Sequence, residues 1–205
     1  IFCVGRTDEA HAREMGKDPT REAPFFFTKP ADAALDTPCT IPYPPQTEDL
    51  HHEIELVIAI GKGGRNIAEA DVMDHVWGAS VGIDLTRRDL QAEAKKAGRP
   101  WDWGKAFDNS APIAALKPIA DVPSVEQGRI WLAVNGEVRQ DADLADLIWS
   151  VREHVAILSQ SMALAPGDII MTGTPAGVAA LVEGDVVTGG VDGIATLEVT
   201  IGPRA

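Results

Sequence analysis

Residues 50–61 read LHHEIELVIAIG, and their reading decides the fold. Ile54, Leu56, Val57, Ile58 and Ile60 form a short apolar run that predicts a buried strand over 53–60. The same stretch carries two glutamates, Glu53 and Glu55, one residue apart. Side chains alternate faces along a strand, so both carboxylates project from the same side. Two like charges beside an apolar run cost free energy unless something neutralises them. The neutralising group is therefore the first thing to find.

Working outward, the chain is rich in strands. IFCVG at the start and FFFTKP, ended by Pro30, read as strands, and a polar segment of helical composition between them stops at Gly16 to Pro19. Residues 31–49 are rich in Pro and Thr and predict a loop, with TIPYPP extended. After GKGGRN come a short helix near 68–75, a strand over 76–84 and a helix over 87–97 that Gly98 and Pro100 end. RIWLAVNGEVRQ predicts a hairpin turning at Asn135-Gly136. A helix over 150–163 and three closing strands, GDIIMTG, GDVVTGG and GIATLEVTI, complete the pattern. The fold class is β-rich α+β, a sheet rolled upon itself, with no boundary at which to split it.

Composition narrows the function. The 205 residues suffice for one sizeable domain, and 45% apolar with 24% charged content is ordinary for a globular chain. A net charge of −13 and the lack of any Lys/Arg stripe argue against nucleic acid as a partner, while leaving room for a small anionic substrate. No apolar run approaches the roughly 18 residues of a membrane span. Cys3 and Cys39 lie far apart with no secretory signal, so reduced thiols in a cytoplasmic setting are expected. The chain begins at Ile1 inside a strand, and an upstream piece absent from it is one reading of that start.

Three acids stand where chemistry could gather. Asp84 ends the strand that follows the Glu53–Glu55 strand, and Arg88 and Gln91 stand at i+4 and i+7 from it, on one face if a helix starts there. Oxygen ligands without Cys or a His pair suit a hard cation, Mg²⁺, Mn²⁺ or Ca²⁺, with positions left open for water and substrate. His51 shares the parity of the glutamates, as a further ligand or a hydrogen-bonded neighbour. On spacing alone the quieter readings stay open: Glu-x-Glu as a solvated face, Asp84 as a helix cap. GKGGR is not a phosphate loop, which needs Gly-Lys-Ser/Thr after four residues, and TGTPAG lacks a nucleophilic serine.

The order of VGRTDEAHAREMG, FFFTKP, LHHEIELVIAIGKGGRNI, GIDLTRRDLQAEAKKAGRPWDWGKAFD, VNGEVRQ and GDIIMTGTPAGV resembles the fumarylacetoacetate hydrolase family over nearly the whole chain. Within it the sequence is most similar to the small single-domain acylpyruvate hydrolases, fumarylpyruvate hydrolases among them. The resemblance implies one catalytic domain over 1–205 with a mixed β-roll and few short helices, whose first twenty residues form a strand and a mobile lid, and a homodimer. It implies that Glu53, Glu55 and Asp84 bind Mg²⁺ or Mn²⁺, and that His11 and Glu14 form a water-activating pair. Lys105 in GKAFD corresponds to the family's active-site lysine, and Arg88, Gln91 and Thr174 to substrate contacts. Thr7-Asp8 departs from the family's usual Asn-Tyr. A β-diketo acid would chelate the cation, His11 would take a proton from water, and Lys105 would stabilise the oxyanion. The far carboxylate of a fumaryl substrate needs another cation, for which Arg13 and Lys29 are the candidates. The rivals are decarboxylation or tautomerisation of oxaloacetate on the same site, and a non-catalytic ligand-binding module.

Overall fold

The computed structural model describes residues 1–5 and 23–204. In chain order its strands are β1 (Phe2–Gly5), β2 (Phe25–Thr28), β3 (Ala34–Asp36), β4 (Cys39–Tyr43), β5 (Leu50–His51), β6 (Ile54–Ile60), β7 (Val76–Ile83) and β8 (Thr86–Arg87). They continue as β9 (Ala111–Ile113), β10 (Lys117–Pro118), β11 (Arg129–Val134), β12 (Glu137–Asp143), β13 (Ile169–Met171), β14 (Ala180–Leu181), β15 (Val186–Val191) and β16 (Ala195–Arg204). The α-helices are α1 (Arg88–Ala97), α2 (Asp102–Lys105) and α3 (Val151–Ser161).

The main sheet runs β2-β1-β13-β6-β7-β9-β3, with β10 also pairing to β7. A second sheet runs β12-β11-β15-β16-β4, and a small third one β14-β5-β8. Parallel pairs (β1 with β13, β3 with β9, β16 with β4) stand among antiparallel ones, so the roll is mixed as expected.

β6 sits at the centre, buried at every position because both its faces are covered. Ile54, Leu56, Ile58 and Ile60 enter the large core with Val81, Ile83, Leu132 and Val199. Val57, on the opposite face, joins a small second core of Cys3, Ala111, Ile113 and Met171. Period-2 alternation thus separates a purely apolar side of β6 from the side that bears Glu55.

Several expectations need correction. The strand expected over 53–60 begins one residue later, at Ile54: Leu50 and His51 form β5 of the third sheet, and the chain breaks at His52 and Glu53 before β6. Residues 31–49 hold β3 and β4 rather than only loop, because β4 finds a parallel partner in β16, far off in sequence. The helix expected over 87–97 runs from Arg88 to Ala97; Asp84 stands before it rather than on its face, since Thr86 and Arg87 pair with β5. The NG hairpin stands: Asn135 and Gly136 have φ of 53° and 81°, the left-handed pair that a tight two-residue turn demands. Ser150 and Glu153 form a capping box that starts α3.

Candidate active site

Antiparallel pairing of β6 with β7 aligns the start of one with the end of the other, Ile54 opposite Ile83 and Glu55 opposite Gly82. The ladder continues past the strand ends, where the Asp84 amide donates to the Glu53 carbonyl at 2.8 Å. Residues 31 positions apart are thereby neighbours. Glu53, Glu55 and Asp84 are all buried, and one carboxylate oxygen from each lies within 4.8 Å of the others. Octahedral Mg²⁺ or Mn²⁺ holds opposite oxygens about 4.2 Å apart, so this all-oxygen set fits a hard divalent ion. Asp84 serves no helix as a cap: α1 starts with no side-chain cap at all.

Lys105 stands at the end of α2, fully buried. Its ammonium donates to Glu53 Oε2 at 2.8 Å, Asp84 Oδ2 at 2.6 Å and Thr86 Oγ1 at 2.7 Å. Gly104 makes this approach possible, because a Cβ there would lie 2.9 Å from both Cβ and N of Gln91 on α1. Arg88 donates to Glu53 Oε1 at 2.5 Å and to Gln91 Oε1 at 2.8 Å. Thr174 is buried and accepts from Gln140 Nε2 at 2.8 Å, while the neighbouring Gly173 amide donates to Glu55 Oε2 at 2.7 Å.

Electrostatics divide the two glutamates. Burial opposes ionisation of Glu53, but the Lys105 ammonium and the Arg88 guanidinium outweigh it and hold its carboxyl far below the usual range. Burial pushes Glu55 well up, and the Asp84 and Glu53 charges add to the rise against the pull of Lys105 and the Gly173 amide. Burial also opposes the charge on Lys105, yet Asp84 and Glu53 hold its ammonium above the usual lysine range. The neighbouring cations thus favour the charge on Glu53, and its acidic neighbours the charge on Lys105, while burial and two acidic neighbours oppose the charge on Glu55. A divalent ion would offset that opposition.

Lys29 is placed differently from the expectation that it might reach a far carboxylate. Its buried ammonium lies 2.9 Å from Asp84 Oδ1, donates to the Leu85 carbonyl at 3.1 Å and donates to the Lys105 carbonyl. The contact to Oδ1 is an ion pair off the hydrogen-bonding axis, so that oxygen accepts no hydrogen bond. Through these contacts Lys29 braces Asp84 and the end of α2. His51 bonds Asp49 at 2.9 Å and is not in the acidic cluster. His11, Arg13 and Glu14, with Thr7 and Asp8, lie outside the described residues.

Gln140 escaped the sequence reading. It is the one fully buried residue of β12, whose other residues are exposed apart from the half-buried Ala142, and it uses its whole amide. Oε1 accepts from the Ile54 amide at 3.1 Å and from His52 Nδ1 at 2.9 Å; Nε2 donates to Thr174 Oγ1 and to the Pro175 carbonyl, both at 2.8 Å. The two backbone partners fix which end of the amide is oxygen, so Nδ1 of His52 carries the proton. One side chain from the second sheet thus pins the strand between Glu53 and Glu55 to the loop that holds Glu55. No local signal marks it, since a Gln among charged residues of a hairpin looks solvated.

A rolled mixed sheet with three buried carboxylates at its strand ends, able to hold a divalent cation, suits a metal-dependent enzyme. Residues 1–202 match the family described as Fumarylacetoacetate (FAA) hydrolase C-terminal, and the chain belongs to the fumarylacetoacetate hydrolase family. It is 45% identical over 191 residues to a fumarylpyruvate hydrolase of a Ralstonia species, covering 92% of this chain and 99% of that one. It is 39% identical over 197 residues to the human mitochondrial oxaloacetate tautomerase FAHD1, covering 96% and 89%. The crystal structure of fumarylpyruvate hydrolase from Pseudomonas aeruginosa in complex with Mn²⁺ and pyruvate superposes with a TM-score of 0.96 at 50% identity, over 99% of this chain and 89% of that one.

Proposed function

We propose that this protein is a divalent-cation-dependent hydrolase that cleaves the carbon–carbon bond of acylpyruvates, fumarylpyruvate above all, to pyruvate and a carboxylic acid. The observation that carries the reading is the buried Lys105 ammonium held against Glu53 and Asp84 at the centre of the acidic cluster. A bound Mg²⁺ or Mn²⁺ would supply Lewis-acid polarisation of the substrate's 2-oxo carboxylate.

The chain's own residues supply the rest. Arg88 and Gln91, already bonded to one another, present a guanidinium and an amide to the keto acid's carboxylate. His11 takes a proton from the attacking water, and Glu14, three residues on, holds the imidazolium that results. Water oxygen adds to the acyl carbonyl, and Lys105 donates to the oxyanion that forms. The bond from that carbon to the adjacent methylene then breaks. Its electron pair passes into the enolate of pyruvate, which takes at carbon the proton that His11 removed from water, and the acyl half leaves as the acid. Thr174, held by Gln140, lies against Glu55's loop and completes the substrate's surroundings.

The relatives that are oxaloacetate tautomerases favour a second reading, keto–enol exchange of oxaloacetate, which uses the cation and Lys105 without a hydrolytic water. Incubation with Mg²⁺ or Mn²⁺ and each of acetylpyruvate, fumarylpyruvate and oxaloacetate separates the two. Pyruvate plus a second acid is the expected result; exchange or carbon dioxide from oxaloacetate with both diketo acids untouched would transfer the assignment. Two free cysteines, one of them buried, support a cytoplasmic enzyme, and family membership supports a homodimer that light scattering would test. Among the described residues no helix is long and apolar enough to cross a membrane.

A further inference from the structure

A cavity of about 580 Å³ opens beside Lys105, lined by Phe25 and Phe27 of β2 and by Arg99, Trp101 and Asp102 among others. Phe25 and Phe27, two apart in a strand, share a face. Trp101 meets both, edge-on to Phe25 at 4.9 Å between ring centres and tilted against Phe27 at 5.7 Å. The Phe27 ring in turn lies 5.0 Å from Lys105 Nζ. An aromatic wall therefore runs without interruption from the ammonium at the acidic centre to the protein surface. Lys95 Nζ stands 4.6 Å over the Trp101 ring and adds positive charge beside it.

Arg99 reaches the cavity because Gly98, in the left-handed region at φ 63°, turns the chain off the end of α1. Its side chain is exposed, and no ion pair or hydrogen bond engages its guanidinium among the described residues. Lys29, which the sequence offered for a far carboxylate, does not line this cavity and contacts Asp84 and two carbonyls. Asp102 is the acid of the cavity and would repel a second carboxylate left without a counter-charge.

Resting on the hydrolase reading above, we propose that this cavity receives the acyl half of the substrate and that Arg99 selects an acyl chain ending in a carboxylate. The flat unsaturated stem of such a chain lies along Phe25, Trp101 and Phe27, and its terminal carboxylate meets the guanidinium in a charge-assisted pair. Arg99 is thus a specificity residue at the far end of the substrate, and Asp102 sets a cost on any dicarboxylic ligand that Arg99 fails to meet.

Calorimetry on the Mn²⁺-loaded protein tests this without turnover, with fumarate and crotonate as probes that differ in one terminal group. The wild type should bind fumarate the more tightly. Arg99→Gln should weaken fumarate about tenfold and leave crotonate within about twofold, Arg99→Lys should recover part of the loss, and Asp102→Asn should strengthen fumarate. In kinetics the Arg99→Gln variant should raise KM for fumarylpyruvate and not for acetylpyruvate, with kcat little changed. Equal effects on both probes, or no effect of Arg99→Gln on fumarate, would overturn the subsite. A wild type that binds fumarate through Arg99 yet hydrolyses neither diketo acid would retain the subsite and discard the hydrolase.

Discussion

The two faces of β6 are built from the same seven residues and do opposite things. The even-numbered face, Ile54, Leu56, Ile58 and Ile60, is uniform hydrocarbon in the large core. The other bears Glu55, then Val57, which packs with residues of β1, β9 and β13 in the same sheet. On the first face burial stabilises the fold at about 25 cal/mol per Å² of apolar surface removed from water. On the second, burial of Glu55 opposes its own charge, a cost that a divalent ion bound at the proposed site would relieve. Stability and cation binding are therefore separable along a single strand, one residue from the next.

The sharpest way to break that contrast is a pair of substitutions. Glu55→Gln removes a charge that burial and the neighbouring acids oppose, so melting in the presence of a chelator should not fall. Metal-dependent turnover should fall by about 10³-fold or more, with Mn²⁺ affinity falling alongside it in calorimetry. Ile58→Ala, on the other face, should lower unfolding free energy by about 2–5 kcal/mol in denaturant titrations and leave the Mn²⁺ dissociation constant unchanged. Turnover preserved in the first, or metal affinity lost in the second, would mean that the faces do not divide the work.

A smaller effect tests stability away from the site. His154 on α3 is fully buried with neither ring nitrogen bonded, and burial brings its pKa down to about 4. The unfolded chain has the ordinary value near 6.5, so it binds more protons than the folded one between the two. The associated stability is present above about pH 6.5 and is lost as pH falls toward 4, by at most about 3 kcal/mol. His52, also brought to about 4 mainly by burial, adds to the same limb. Denaturant midpoints for His154→Leu should fall less steeply over that window than the wild type's; an identical slope would remove His154 from the acid response.

The smallest effect expected joins the two sheets. Gln140→Leu keeps similar volume but strips partners from the Ile54 amide, the Pro175 carbonyl and Thr174. Mn²⁺ affinity should drop about ten- to a hundredfold, the range for groups that hold a metal's ligands in place. Substitution of the neighbouring exposed Arg139 should leave that affinity unaltered.

The residues by themselves determined a good deal. Alternation of apolar and acidic positions marked β6 and its two faces, Asn135-Gly136 marked the hairpin, and the ordered motifs brought Glu53, Glu55, Asp84, Arg88, Gln91 and Lys105 into one expected site. The strand and the hairpin are legible because strand periodicity and turn chemistry act over two to four residues, whereas the site was legible as a whole only through the family resemblance that the order of motifs carries. Tertiary structure alone decided the break at His52–Glu53, the pairing of β4 with β16, the bracing duty of Lys29, the bridging amide of Gln140 and the placing of Arg99 beside an aromatic wall. Each depends on partners dozens of residues distant, brought together by strand order, and nothing in a local pattern records which strand will lie beside which.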